Sequence, residues 1–325
     1  QFHVRGIRVG LCINPTEGIF PHEPVYKQAS EYLGITDSSI IKYDPLNPKL
    51  MDVMFKMFLH PLEAYGVDFF WNDYYGDVNN ISNLWATNHY LYLDSKRNVS
   101  KRGMLLSRNG ILAPHRYGIL YGGSSEISWE KLKQLPFMYL NASNIGVSWW
   151  SHDVAGNHGG VEEGDLYVRY LQLSTFGPIL RFHGARGPYY KKEPWLWDAQ
   201  IESIAADYLR LRHRLIPYLY TEAYNYTKSG VPLIQPFYYN YMWVYDDDLY
   251  RNQYYFGSQL LVCPILDKMD AVMNRTLHRF FIPDGIWYDF ITGKKFPGNK
   301  KYVSFFKEGD YPVFAHAGSI IPLSN

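Results

Sequence analysis

The chain has 325 residues, 47% hydrophobic and 19% charged, a balance that permits a large core and excludes the disordered and fibrous classes. Its 32 Lys and Arg stand against 31 Asp and Glu, a formal net charge of +1, so no field draws it to nucleic acid or to an anionic membrane surface. No apolar run approaches the ~18 residues of a membrane span, and with two cysteines, Cys12 and Cys263, neither a disulfide framework nor a thiolate zinc site is expected. The chain is read as soluble, in a reducing and by preference cytoplasmic setting. Thirty Tyr, 18 Phe and 9 Trp make 18% of it aromatic. Such rings suit a carbohydrate ligand as well as a core, and composition leaves both open.

In chain order, Gly6 to Pro15 reads as a buried strand closed by turn residues. It starts without a leader or signal peptide, as expected of a cut through a larger protein. Short apolar runs then alternate with helical spacing, the mark of repeated βα units. Strands are expected over 67–72, 103–107, 117–121, 145–151 and 177–183, and helices over 48–65, 82–94, 128–141 and 165–175. Counting the opening run gives six strands, whereas a closed parallel barrel takes eight, so two units would lie upstream. The longest helix is expected over 200–228, kinked at Pro217 and stopped by Gly230. Beyond it, short apolar runs with frequent Gly and Pro predict an antiparallel sheet domain. The division is thus residues 1–230, a partial barrel, and 231–325, an all-β sandwich.

In a parallel barrel the chemistry sits at the carboxyl ends of the strands. Asp73 directly follows the run Val67-Asp68-Phe69-Phe70-Trp71-Asn72, where a carboxylate nucleophile flanked by aromatics would be held; Asp77 reads as a loop charge. His152 and His158, near Glu162 and Glu163, lack the helical spacing of a metal pair, so no metal is expected. Neither a Gly-rich phosphate loop nor a Gly-x-Ser-x-Gly elbow occurs. Asn80, Asn98, Asn141, Asn225 and Asn274 begin N-x-S/T triplets, which do not by themselves show secretion.

The Asp73 stretch, with Gly103 to Arg108, His115-Arg116-Tyr117, Ser128-Trp129-Glu130, Gly146 to Gly156, Arg181-Phe182-His183, Leu211 to Tyr220, Gly285 to Gly293 and Pro312 to Pro322, strongly resembles glycoside hydrolase family 31, the α-glucosidase and α-xylosidase family. The resemblance covers almost the whole chain in order. It implies an α/β fold, a (β/α)8 barrel with strands 3 to 8 present and then a β-sandwich. It also implies a retaining α-glycosidase acting on an oligosaccharide or α-glycoside, with no cofactor. By motif, Asp73 matches the family's nucleophile, Arg108 a substrate-holding arginine, Asp153 a residue near the acid site and His183 a histidine that hydrogen-bonds the glycone. Trp71, Trp149 and Trp150 would be stacking walls.

One position departs from the family pattern. The acid/base aspartate is expected sixteen residues after the holding arginine, and Ser124 stands there. A serine hydroxyl cannot serve as a general acid near neutral pH. Three explanations stay open: Glu126 takes over from the same side of an extended segment, the lineage has kept sugar binding and lost hydrolysis, or the serine is an introduced substitution. Linkage, sugar and oligomeric state are not read from the sequence.

Overall fold

The computed structural model describes residues 1–74, 81–98, 101–108, 113–185, 187 and 190–325; Asp77 and Asn80 lie outside them. Two compact units divide the chain at Gly123 and Ser124.

In the first unit four short strands, β1 (Gly10–Ile13), β2 (Phe69–Asn72), β3 (Leu106–Arg108) and β4 (Ile119–Tyr121), run parallel in chain order. Cys12 pairs with Trp71, Trp71 with Leu106 and Arg108 with Tyr121. Helices fill the crossovers: α1 (Tyr26–Leu33), α2 (Pro48–Val53), α3 (His60–Ala64) and α4 (Ile81–Ser95). Asn47 starts α2 by accepting from the amides of Lys49 and Leu50, a side-chain N-cap. The single helix expected over 48–65 is widened into π geometry over Met54–Leu59. Pro61 follows in the first turn of α3 and offers no N–H, so the α-helical ladder cannot pass through it unchanged. Leu59, Phe70, Leu91, Leu105 and Tyr117 close the core between helices and strands.

The second unit begins with α5 (Trp129–Asn144), whose Ser128 cap accepts from the Lys131 amide at 3.2 Å. Then come β5 (Trp150–Ser151) and α6 (Gly164–Thr175), a helix buried on all sides. The strand expected over 177–183 is not formed among the described residues. Arg212 donates instead to the carbonyls of Thr175, Gly177 and Pro178 at 3.0, 2.6 and 2.7 Å, so a guanidinium fork replaces a ladder partner there, and Pro178 brings no donor of its own. The long helix expected over 200–228 is two helices, α7 (Ala199–Arg214) and α8 (Ile216–Ser229), broken at Leu215 just ahead of Pro217.

Beyond α8 lies the expected antiparallel architecture. Strands β6 (Ile234–Pro236), β7 (Tyr254–Phe256), β8 (Leu260–Val262), β9 (Thr276–Ile282), β10 (Ile286–Asp289), β11 (Lys295–Pro297), β12 (Lys300–Phe306) and β13 (Val313–His316) form a sheet ordered β11-β10-β13-β8-β7-β6 and a β12-β9 pair. Phe237, Leu261, Cys263, Phe280, Trp287 and Phe314 fill the space between. Much of the aromatic excess is therefore core. Tyr218 and Tyr254, both buried, donate their hydroxyls to the carbonyls of Phe256 and Phe176 at 2.7 and 3.0 Å, which removes the penalty of an unpaired buried O–H.

Arg169, on α6, is wholly buried. It donates to Gln172, to the Asp310 carbonyl at 2.9 Å and to the Lys307 carbonyl at 3.2 Å, and its Nε lies 3.4 Å from Asp165. Replacing it with Met leaves those carbonyls and the Asp165 charge without their partner, so a loss of about 3–5 kcal/mol is expected. Calorimetry should show a fall in Tm of roughly 6–20 °C; a melt within about 2 °C of the parent would show that the network contributes little.

Candidate functional site

At the carboxyl ends of β2 and β3 a carboxylate and a guanidinium meet. Arg108 Nη1 donates to Asp73 Oδ1 at 3.1 Å, with the two side chains 17% and 18% exposed. Parallel pairing puts Asn72 opposite Ser107, so the next residues, Asp73 just past β2 and Arg108 at the last position of β3, lie side by side. The Asp73 amide donates to the Ile13 carbonyl at 2.9 Å, which carries the β1–β2 ladder one residue further. The Arg108 guanidinium lies 5.7 Å from the Tyr121 ring centroid, and Tyr121 meets Trp71 edge-to-face at 5.6 Å. Trp71, Asp73, Arg108 and Tyr121 thus form one constellation.

Beneath it lies a buried amide network absent from the sequence reading. Asn88 on α4 accepts from Asn72 Nδ2 at 2.9 Å and from Ser107 Oγ at 2.7 Å, and Asn72 accepts from the Tyr74 amide. All three polar side chains are buried. Their bonds clamp the ends of β2 and β3 together and so set the Asp73–Arg108 distance. A signal was present: Asn88 falls on the same helical face as the buried Leu84 and Leu91, and a polar residue in an apolar stripe needs a partner. A mostly apolar hollow beside the end of β1 is walled by Ile13, Asn14, Tyr43, Met54 and Phe58, and neither Asp73 nor Arg108 lines it.

The remaining candidates belong to the second unit. Asp153 is fully buried; Arg181 Nη1 donates to its Oδ1 at 3.2 Å and Asn157 to its Oδ2 at 2.9 Å. Trp149 is half-buried. Trp150 is 6% exposed, edge-on to Tyr139 and stacked on His152, a core position that offers no open face. His152 lies between the Tyr139 hydroxyl at 3.2 Å and Ser174 at 3.0 Å. Burial and the Arg181 charge push its pKa down to about 3, so it is neutral, and no group of three or more metal-ligating side chains occurs among the described residues. His183 is half-buried.

Ser124 and Glu126 are exposed. Their segment is laced to the loop after β5, because the Ser125 carbonyl accepts from the amides of Asn157 and His158 at 2.7 and 3.3 Å, and Ile127 and Val161 complete the lacing. The approach is close enough to demand glycine. A Cβ on Gly160, at φ +73, would sit 1.9 Å from the Ile127 carbonyl oxygen, and one on Gly156, at φ +64, 2.9 Å from that of Glu126.

Two family models match in tandem, the glycosyl hydrolases family 31 TIM-barrel domain over residues 23–222 and the glycosyl hydrolase family 31 C-terminal domain over 230–321. The chain belongs to glycoside hydrolase family 31. Its fold class is accordingly that of the family's barrel followed by a β-sandwich domain. Among curated relatives, an alpha-xylosidase of Saccharolobus solfataricus is 26% identical, matching 99% of this chain and 46% of its own length. Neutral alpha-glucosidase C of Mus musculus is 28% identical, over 94% and 36% respectively. The chain thus spans less than half the length of either. A cycloalternan-degrading enzyme of Trueperella pyogenes, solved with a covalent intermediate, superposes with a TM-score of 0.83 at 22% identity, covering 98% of this chain and 49% of that one. A GH31 dextranase of Flavobacterium johnsoniae, complexed with isomaltotriose, gives 0.82 at 22%, over 99% and 44%. At those identities the likeness concerns the fold. No helix among the described residues is long and apolar enough to cross a membrane.

Proposed function

We propose that this chain carries the catalytic core of a retaining α-glycosidase acting on α-linked gluco-oligosaccharides or related α-glycosides, with residues 1–230 contributing barrel and 231–325 the sandwich. The observation that carries this reading is the Asp73–Arg108 pair at adjacent strand ends, 3.1 Å apart. The guanidinium holds one carboxylate oxygen in place at the strand end, a fixed orientation that a nucleophile needs before it meets an anomeric carbon. Asp73 would attack that carbon, breaking the glycosidic C–O bond and forming a glycosyl ester, with Arg108 and Trp71 beside it holding the sugar. In the second unit Trp149 and His183 are half-buried candidates for sugar contact, while Asp153 and Trp150 are buried and would act only as support. The relatives' names, alpha-xylosidase and alpha-glucosidase, and isomaltotriose bound to a neighbour of the same fold support an α-linked substrate.

A second reading, a carbohydrate-binding homologue without efficient hydrolysis, is favoured by Ser124 alone. With no titratable proton at 124, departure of a poor leaving group and activation of water are both unassisted, unless Glu126 supplies them. A nitrophenyl α-glucoside separates the readings, because its leaving group needs no acid. Added azide, which needs no base, should attack the glycosyl ester, raise turnover by ~10²-fold and give the α-glycosyl azide by double inversion. Binding of the glucoside with no aryl release at any azide concentration would establish the second reading.

A further inference from the structure

The loop from Asp153 to Val161 frames three of the candidate residues. It carries Asp153, its Val154 amide bonds the Arg181 carbonyl two residues before His183, and its Asn157 and His158 amides seat the segment of Ser124 through the Ser125 carbonyl. Asn157 also accepts from the Ala185 amide at 3.0 Å. Such a loop has little regular structure of its own, and its turn at Ala155 and Gly156 has φ of +59 and +64, a conformation that a non-glycine residue holds only under constraint.

The constraint comes from Lys192. Its Nζ donates to three successive carbonyls, those of Val154 at 3.2 Å, Ala155 at 2.8 Å and Gly156 at 2.5 Å. An ammonium has three protons and no acceptor capacity, so three converging carbonyls fit its valence. The stem is held as well: the Lys192 carbonyl accepts from the Tyr167 hydroxyl at 3.0 Å, and Cε passes 2.8 Å from where a Cβ on Gly184 would be. Gly184 therefore leaves room for the lysine beside His183. Burial draws the pKa of the ammonium down to about 8, against the pull of the Asp153 charge. The neighbouring charges are committed elsewhere, Glu162 to Lys191 and Glu163 to Lys268 and Trp129.

We infer that Lys192 is a positioning residue, whose ammonium pins the left-handed turn after Asp153 and thereby holds Asp153, His183 and the Ser124 segment in one arrangement. The functional part of this inference rests on the glycosidase reading; the mechanical part does not. The test compares the parent chain with Lys192→Met, Lys192→Arg and Gly184→Ala. Hydrogen exchange of the amides of residues 154–158 should quicken at least about tenfold in Lys192→Met and in Gly184→Ala, return toward the parent in Lys192→Arg, and stay unchanged in α6, which serves as the check that the fold is intact. On a nitrophenyl α-glucoside with azide, Lys192→Met should lower kcat about tenfold or more with a smaller change in KM, and Lys192→Arg should restore it. Unchanged exchange in Lys192→Met overturns the inference outright. Faster exchange with kcat and KM intact also overturns it, since the lysine then serves stability alone. A parent that neither binds nor turns over the glucoside sinks the glycosidase reading, while the exchange data still decide whether Lys192 pins the loop.

Discussion

Asp73→Asn is expected to abolish aryl release from a nitrophenyl α-glucoside, lowering kcat on the order of 10⁴-fold or more. The amide fills almost the same volume but brings no negative charge to the anomeric carbon and cannot form the ester. Its effect should be confined to chemistry, because Asn72, Asn88 and Ser107 clamp the strand ends independently of the Asp73 side chain. The melt should therefore move little, and affinity for the glucoside measured by calorimetric titration should stay within a few-fold of the parent. The exposed rim of the pair is small, 18% for Asp73, so a structural salt bridge is the competing account. Under that account Asp73→Asn would weaken stability and leave turnover intact, and that outcome would remove Asp73 from the mechanism.

The opposite experiment concerns Ser124. Ser124→Asp should raise kcat on a disaccharide with an unactivated leaving group by ~10²–10⁴-fold, the usual worth of a general acid, and should gain much less on the nitrophenyl glucoside. The gain is expected to disappear above the pKa of the new carboxyl, giving the alkaline limb of a bell-shaped profile that the parent lacks. Glu126 provides the control. If it already supplies the proton, Glu126→Gln abolishes the parent's activity on the disaccharide and Ser124→Asp adds nothing. If neither change alters turnover, the acid lies elsewhere or the site does not hydrolyse. The exposed position of both residues leaves room for an added carboxylate without burying a charge.

Much of this was legible in the sequence because local chemistry and fold agreed. Alternating βα texture marks parallel strands with crossover helices, the Ser128 cap marks the start of α5, and the Gly- and Pro-rich tail marks an antiparallel sheet. All three are present, although β1, expected as a buried strand, is largely exposed. Asp73 and Arg108 could be singled out because strand ends are where polar residues leave a parallel sheet. Other features depended on partners distant in sequence. Residues 177–183 look like a strand, yet the carbonyls of Gly177 and Pro178 are taken by Arg212 from α7 and that of Arg181 by the Val154 amide. The break at Leu215 places Pro217 in the first turn of a new helix rather than in the interior of a kinked one. Trp150 carries the same ring as Trp149 but is buried where its neighbour is not, which is a matter of which face of the segment meets α5. The bond from Asn88 to two strands is likewise tertiary, and only its misplaced polarity hints at it.

The seat of Arg169 binds the histories of two regions. Its hydrogen bonds end on main-chain oxygens of Lys307 and Asp310, so side-chain drift in that stretch is tolerated while insertions or deletions are not. A chimera that joined this barrel to a sandwich borrowed from another family member would succeed only where the borrowed stretch offers oxygens at matching positions. Helix and stretch are thus expected to covary in length rather than in side-chain identity.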